Sequence, residues 1–326
     1  MAESFKNKKK EVSKKGLLGF QFGHLPLFGK YPPKTFLKWW NSFGDVFSIR
    51  LGSWNTVVVN GYDAVKAAAE HPDGRNIRDV ADAIIASDAD DEENKDRYVL
   101  TRARLQILHL QIYKGAGFVS KALNIIISCF NFSVDTTHKT LLWLFLYMAK
   151  FPDVQEKVFT EIKDIVGTNR SVMLKDKPEL VFTNAVLLEV MRFVSQVPFS
   201  IPHYAMKNAK IQGFDVDKDT VVVFNLYSVH HEISFWGDPE IFRPERFISD
   251  RKSLDKEKCN HIFAFGHGRR RCVGEILAQM NLFISFSNVM QKCKFIKPAD
   301  EQLDITPIPG LVYTPKPYKV LVQVRN

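Results

Sequence analysis

A chain of 326 residues that is 45% hydrophobic and 12% aromatic can bury a large core, which excludes a disordered or fibrous protein. Its formal charge of +9 is uneven: Lys6, Lys8, Lys9, Lys10, Lys14 and Lys15 crowd the start, while Asp88, Asp90, Asp91, Glu92, Glu93 and Asp96 form an acidic run. The four cysteines (Cys129, Cys259, Cys272, Cys293) show no C-x-x-C pair and no disulfide-rich spacing, which argues for a reducing compartment.

Residues 1–15 read as a basic polar leader, either solvated or touching acidic lipid headgroups, with no secretory signal or membrane anchor. Residues 16–33, rich in Gly, Pro and Phe, predict an irregular opening. A short helix over 36–43 follows, then strands over 45–51 and 56–59 around Gly52-Ser53-Trp54-Asn55. Residues 62–70 predict a helix that stops before Pro72. The most apolar run, Ala122 to Val134, has the length of a buried helix rather than of a bilayer span. Leu141, Leu142, Phe145, Leu146 and Ala149 then make a helical stripe that ends before Pro152. Val154, Val158, Ile162 and Ile165 make the next, closed by Gly167. Residues 209–229 predict a hairpin turning at Asp217-Lys218-Asp219.

Several residue groups carry chemistry. Asp135-Thr136-Thr137 before an apolar helix reads either as a helix cap or as an acid beside a hydroxyl, able to relay protons. Glu189 and Arg192 share a helix face, and alone would be a surface ion pair of little worth. His230 and His231 read as structural. Cys259, His261, His267 and Cys272 match no common zinc spacing. The most informative string is Phe265-Gly266-His267-Gly268-Arg269-Arg270-Arg271-Cys272-Val273-Gly274. Its glycines let backbone approach a large planar ligand, since Cβ atoms are missing there. Ile276, Leu277, Met280, Phe283 and Ile284 continue with helical spacing, so Cys272 lies near a helix N-terminus, where thiolate is favoured. A thiolate in such a turn fits the axial ligand of haem iron.

That string fills every fixed position of F-G-x-G-x-R-x-C-x-G, and the chain resembles the cytochrome P450 family. The resemblance implies a mainly α fold with a small β region (α+β), in one domain over residues 16–326. It covers residues 45–70 and 132–320 and leaves 73–131 unmatched, so much of the distal helical half is expected to be missing. The family's Trp-x-x-x-Arg helix is absent, because none of Trp39, Trp40, Trp54, Trp143 and Trp236 has Arg four residues on. By resemblance Cys272 binds the iron of haem b, Phe265 shields its sulfur, Arg270 meets a haem propionate and Gly274 lets the porphyrin approach. Phe242-Arg243-Pro244-Glu245-Arg246-Phe247 resembles the family's second arginine motif. It makes Glu189, Arg192 and Arg246 a structural triad, with bidentate geometry that Lys lacks. Asp135 and Thr136 fall on the oxygen-activation motif, where Phe132 and Ser133 replace Ala and Gly and a phenyl ring fills space meant for dioxygen.

The implied function is insertion of one dioxygen atom into a small apolar substrate, with electrons from NADPH. They arrive through NADPH-cytochrome P450 reductase, with cytochrome b5 as a second donor, at the cytosolic face of the endoplasmic reticulum membrane. One alternative is a non-catalytic remnant or incomplete gene model. Another is a basic module for nucleic acid or a membrane surface. The aromatic interleaving used on single strands is missing around the lysine and arginine clusters, so no nucleic-acid partner is expected.

Overall fold

The computed structural model describes residues 24–52, 54–70, 77–79 and 135–325. The leader, Phe132, Ser133 and most of residues 73–131 lie outside the described residues.

The first helix, α1 (Pro32–Phe43), starts on prolines, whose fixed φ suits the first turn. A hairpin of β1 (Val46–Leu51) and β2 (Trp54–Asn60) leads into α2 (Tyr62–Glu70), within the bounds that its apolar spacing predicts. After β3 (Ile77–Asp79) the described chain resumes as a helix, α3, over residues 135–150. The helices α4 (Pro152–Ile165) and α5 (Val181–Val194) follow, then short strands β4 (His203–Ala205), β5 (Ala209–Ile211), β6 (Phe214–Val216) and β7 (Val221–Asn225). Three short helices, α6 (Leu226–His230), α7 (Ile233–Trp236) and α8 (Lys256–Asn260), precede the long α9 (Glu275–Lys292). The pair β8 (Cys293–Ile296) and β9 (Leu321–Val324) closes the chain. The architecture is mainly helical with small sheets, as the resemblance implies.

The hairpin expected at Asp217–Asp219 is misplaced. The turn lies at Gln212-Gly213, between β5 and β6, where consecutive positive φ values of 51° and 80° suit a two-residue hairpin. Asp219, at φ 69°, instead marks the corner into β7, and residues from Leu226 are helical.

The main sheet runs β1-β2-β7-β4-β3, with β2 and β7 parallel and its other pairings antiparallel. Every position of β7 is buried, as its unbroken Val-Val-Val-Phe run suits a central strand. Where β2 and β7 end in register, Asn225 Nδ2 donates to Asn60 Oδ1 (2.8 Å), and the Asn225 side chain also caps α6. One core joins α3, α4, α5 and α9 through Trp143, Tyr147, Val158, Ile162, Val190 and Phe286. A second lies between the sheet and α2, around Val59, Ala64, Val65, Val222, Phe224 and Phe263. The cysteine turn runs from this second core to the start of α9.

Candidate functional site

The turn from Phe263 to Gly274 holds its shape by its own backbone. Gly266 N–H donates to the Phe263 carbonyl (2.8 Å), Cys272 N–H to Phe265 (2.9 Å) and Arg271 N–H to Gly268 (3.2 Å). Gly266 and Gly268 have φ of 76° and 69°, a region open to glycine at little cost. A Cβ on Gly268 would also lie 2.4 Å from the Ala69 carbonyl oxygen, so the turn sits directly on the last residues of α2. His267 Nε2 is 2.6 Å from Glu70 Oε1. This bond is the main cause that holds the Glu70 carboxyl below its ordinary range.

Cys272 is an exposed free thiol just ahead of α9, whose N-cap is Gly274. A Cβ on Gly274 would stand 3.9 Å from the Cys272 sulfur, in ordinary contact with it, so a side chain there would occupy part of the space beside the thiol. Around it lie Val273, 95% exposed, Ile276, 76%, and Leu277, 58%, an apolar surface of a kind that soluble chains rarely leave bare. An exposed thiol amid exposed aliphatic side chains, on a turn stripped of Cβ atoms, fits a flat apolar ligand bound through sulfur. Haem is such a ligand, and these residues fit it. Phe265 is half-buried at the base of the turn, and Arg269 and Arg270 are exposed on it. Arg271 pairs with Glu275, a buried carboxylate in the first turn of α9.

Glu189, Arg192 and Arg246 meet in the interior. Glu189 Oε2 accepts from Arg192 Nε (2.7 Å), and Glu189 Oε1 from Arg192 Nη2 (2.9 Å), Arg246 Nε (3.1 Å) and the Arg243 backbone N–H (2.8 Å). Four donors on one carboxylate offset the cost of burying it. Arg246 also holds Asp238 Oδ1 (2.9 Å) and the Ile241 carbonyl (2.8 Å), so residues 236–247 wrap around α5. The Asp238 carboxyl lies below its ordinary range, chiefly through the Arg246 hydrogen bond.

Asp135 and Thr136 stand apart from this cluster. Asp135 is exposed and bonds Lys139 one turn on (2.6 Å). The Thr136 carbonyl accepts from Gln196 Nε2 (3.1 Å) and from Thr140 Oγ1 (2.9 Å), which fastens the start of α3 to the end of α5. His230 and His231 are buried: His230 Nε2 accepts from Phe263 N–H (3.0 Å), and His231 stacks on Tyr227 at 3.8 Å. No group of metal-ligating side chains occurs among the described residues, which leaves the zinc set without support. Glu70 was not visible as a site residue from sequence, because its partner His267 lies 197 residues further on. The histidine inside the glycine turn was the one available signal for Glu70.

Comparison with known proteins agrees with the geometry. The family model described as Cytochrome P450 matches residues 75–322, which takes in residues 75–131, where the motifs alone show no resemblance. Cytochrome P450 1A1 of Opsanus tau is 34% identical over 252 residues, covering 77% of this chain and 45% of the relative. Cytochrome P450 2U1 of Bos taurus is 37% identical over 226 residues (68% and 41%). The Homo sapiens 2U1 protein reaches 41% identity over 192 residues (59% and 35%). The chain thus spans under half the length of these relatives. With the family model covering most of its residues and the thiol turn built as described, this chain belongs to the cytochrome P450 family, whose members bind haem through a cysteine thiolate.

Proposed function

We propose that this chain is a haem-thiolate monooxygenase that inserts one atom of dioxygen into a small apolar substrate. The observation that carries the reading is Cys272, an exposed thiol on a glycine turn beside uncovered aliphatic side chains. Cys272 would ligate the iron, Gly274 would admit the porphyrin edge, Arg270 would meet a propionate and Phe265 would shield the sulfur. Bound there, haem supplies the redox chemistry on dioxygen, with thiolate donation favouring O–O cleavage. Arg269 and Arg270 present positive charge beside the thiol, suited to steering an acidic electron donor such as NADPH-cytochrome P450 reductase, with cytochrome b5 as the second. The cytosolic face of the endoplasmic reticulum membrane is the corresponding place. No helix among the described residues is long and apolar enough to cross a membrane.

Asp135 with Thr136 is the proposed proton relay. Its carboxylate is already engaged by Lys139, an observation that favours a second reading: a family member that takes up haem without turnover. Two measurements separate the readings. The purified chain, supplied with haem, reduced and treated with carbon monoxide, should give the red-shifted Soret band of thiolate ligation; a colourless protein would sink both. With reductase and NADPH, oxygenated product from an apolar substrate supports the first reading, and a coloured but idle protein the second.

A further inference from the structure

A hydrogen bond that none of the motifs mentions joins the thiol turn to the end of α2. We propose that His267, acting through Glu70, is a positioning residue that clamps the Phe265–Cys272 turn onto the end of α2 and so sets where the Cys272 sulfur points. This rests on the haem-thiolate reading for its purpose, though not for its geometry.

Three contacts converge on the clamp. An ionised Glu70 can only accept, so the ring proton lies on His267 Nε2 and donates across 2.6 Å to a residue 197 positions away in sequence. The His267 ring also stacks on Phe263, with centroids 4.5 Å apart and planes at 25°. Next to it, Gly268 rests on Ala69 so closely that no side chain fits between them. His267 therefore has one face on the root of the turn and one edge on the helix, which leaves the turn a single seating.

The helix is a suitable anchor because its other end is fixed as well. Gly61 N–H donates to Ser228 Oγ (2.8 Å) and Tyr62 N–H to Glu232 Oε2 (3.3 Å), both on the segment that follows β7. Ala64, Val65 and Ala68 are buried against the sheet. Thus α2 is a strut from the end of the central strand to the thiol turn. The turn's inner hydrogen bonds fix its curvature, whereas the strut fixes its tilt.

The test reads the turn without relying on haem. Hydrogen exchange at the Gly266, Arg271 and Cys272 amides should speed up about fivefold in Glu70→Ala and His267→Ala, the factor for losing one hydrogen bond of ordinary net strength. Exchange within α5 should not change. His267→Gln, which keeps an N–H donor, should recover most of the protection when paired with wild-type Glu70. Haem-loaded His267→Ala should also show a displaced carbon monoxide Soret band, which His267→Gln restores. If His267→Ala proves insoluble, Glu70→Ala alone decides, since Glu70 is half-exposed at a helix end. Wild-type exchange in Glu70→Ala would overturn the clamp. A colourless chain with accelerated exchange would retain the clamp and remove the haem reading instead.

Discussion

Phe263 and His230 are joined by a hydrogen bond from backbone to ring, 3.0 Å long, across 33 residues of sequence. Because Nε2 accepts, the ring proton sits on Nδ1 and donates to Ser195 Oγ at 2.7 Å. Ser195 Oγ in turn donates to the Arg192 carbonyl (3.0 Å), and Arg192 Nη1 donates to the His230 carbonyl (2.8 Å). One neutral imidazole thus ties the root of the thiol turn to the Glu189–Arg192 helix. Burial above all, then the charges of Arg192 and His261, holds its pKa down at about 3. Burial keeps His231 well below the ordinary histidine range too.

Acid should therefore loosen the protein through its histidines before it reaches the carboxylates. A group with a depressed folded pKa takes up protons more readily when unfolded. Its contribution is complete above the unfolded value of about 6.5 and declines as pH falls from there towards the folded value. Urea midpoints should fall as pH drops below about 6.5. His230→Phe should start lower by roughly 2–4 kcal/mol, since Phe263 N–H loses its acceptor and the Ser195 oxygen its donor, and then decline less steeply. A variant profile parallel to wild type would clear His230 of the effect.

Glu189 and its guanidinium partners yield a prediction about geometry rather than charge. Arg192→Lys keeps the charge, but a single ammonium cannot serve both Glu189 oxygens together with the carbonyls of His230 and Pro239. A loss of about 1–3 kcal/mol is expected, as for leaving buried hydrogen-bonding groups without a partner while the charge stays paired. Equilibrium unfolding of the two proteins measures it, and a loss under about 1 kcal/mol would mean that water or a neighbour replaces the missing donors.

Legibility in the sequence followed the range of the interaction. The helix over 62–70 was readable because its apolar spacing and the stop before Pro72 are local, and Glu189 with Arg192 because they are one turn apart. Arg246 could be joined to them only by resemblance, as it lies 57 residues from Glu189. The parallel pairing of β2 with β7 left no local trace, for its register follows from contacts such as Asn60 with Asn225, 165 residues apart. The hairpin was misread because Asp217-Lys218-Asp219 has turn composition. Gln212-Gly213, which makes the tight turn, shows only one glycine in an otherwise ordinary stretch. Asp135 matched a motif by its neighbours, whereas its actual partner, Lys139, follows from helix periodicity.

Two glycines separate backbone strain from collision. Gly167 and Gly268 both have positive φ, at 83° and 69°, but a Cβ at Gly167 meets nothing within 4 Å. Gly167→Ala should cost only the conformational penalty, about 1 kcal/mol. Gly268→Ala adds a contact of 2.4 Å with the Ala69 carbonyl oxygen, so either the turn or the end of α2 has to move. Its cost should exceed that of Gly167→Ala by a further 1–3 kcal/mol, roughly the overpacking range. Equal unfolding midpoints for the two variants would show that the turn is free to lift from the helix.

Cys272→Ser tests whether the thiol serves a ligand or the fold. The side chain is exposed, and the turn's bond from Cys272 N–H to the Phe265 carbonyl belongs to the backbone, so serine leaves the hydrogen-bonded frame in place. Unfolding free energy should change by less than about 0.5 kcal/mol, as for other surface substitutions. Haem uptake is expected to respond quite differently. A hydroxyl is a poor stand-in for a thiolate on iron, so the red-shifted Soret band should vanish from the reduced, carbon monoxide-treated protein. Cys259 and Cys293 offer an internal comparison: both are half-buried, and burial raises the pKa of the Cys259 thiol. Cys259→Ser and Cys293→Ser should keep the band. If Cys272→Ser kept it too, sulfur from elsewhere would be reaching the iron and the glycine turn would be bystander architecture.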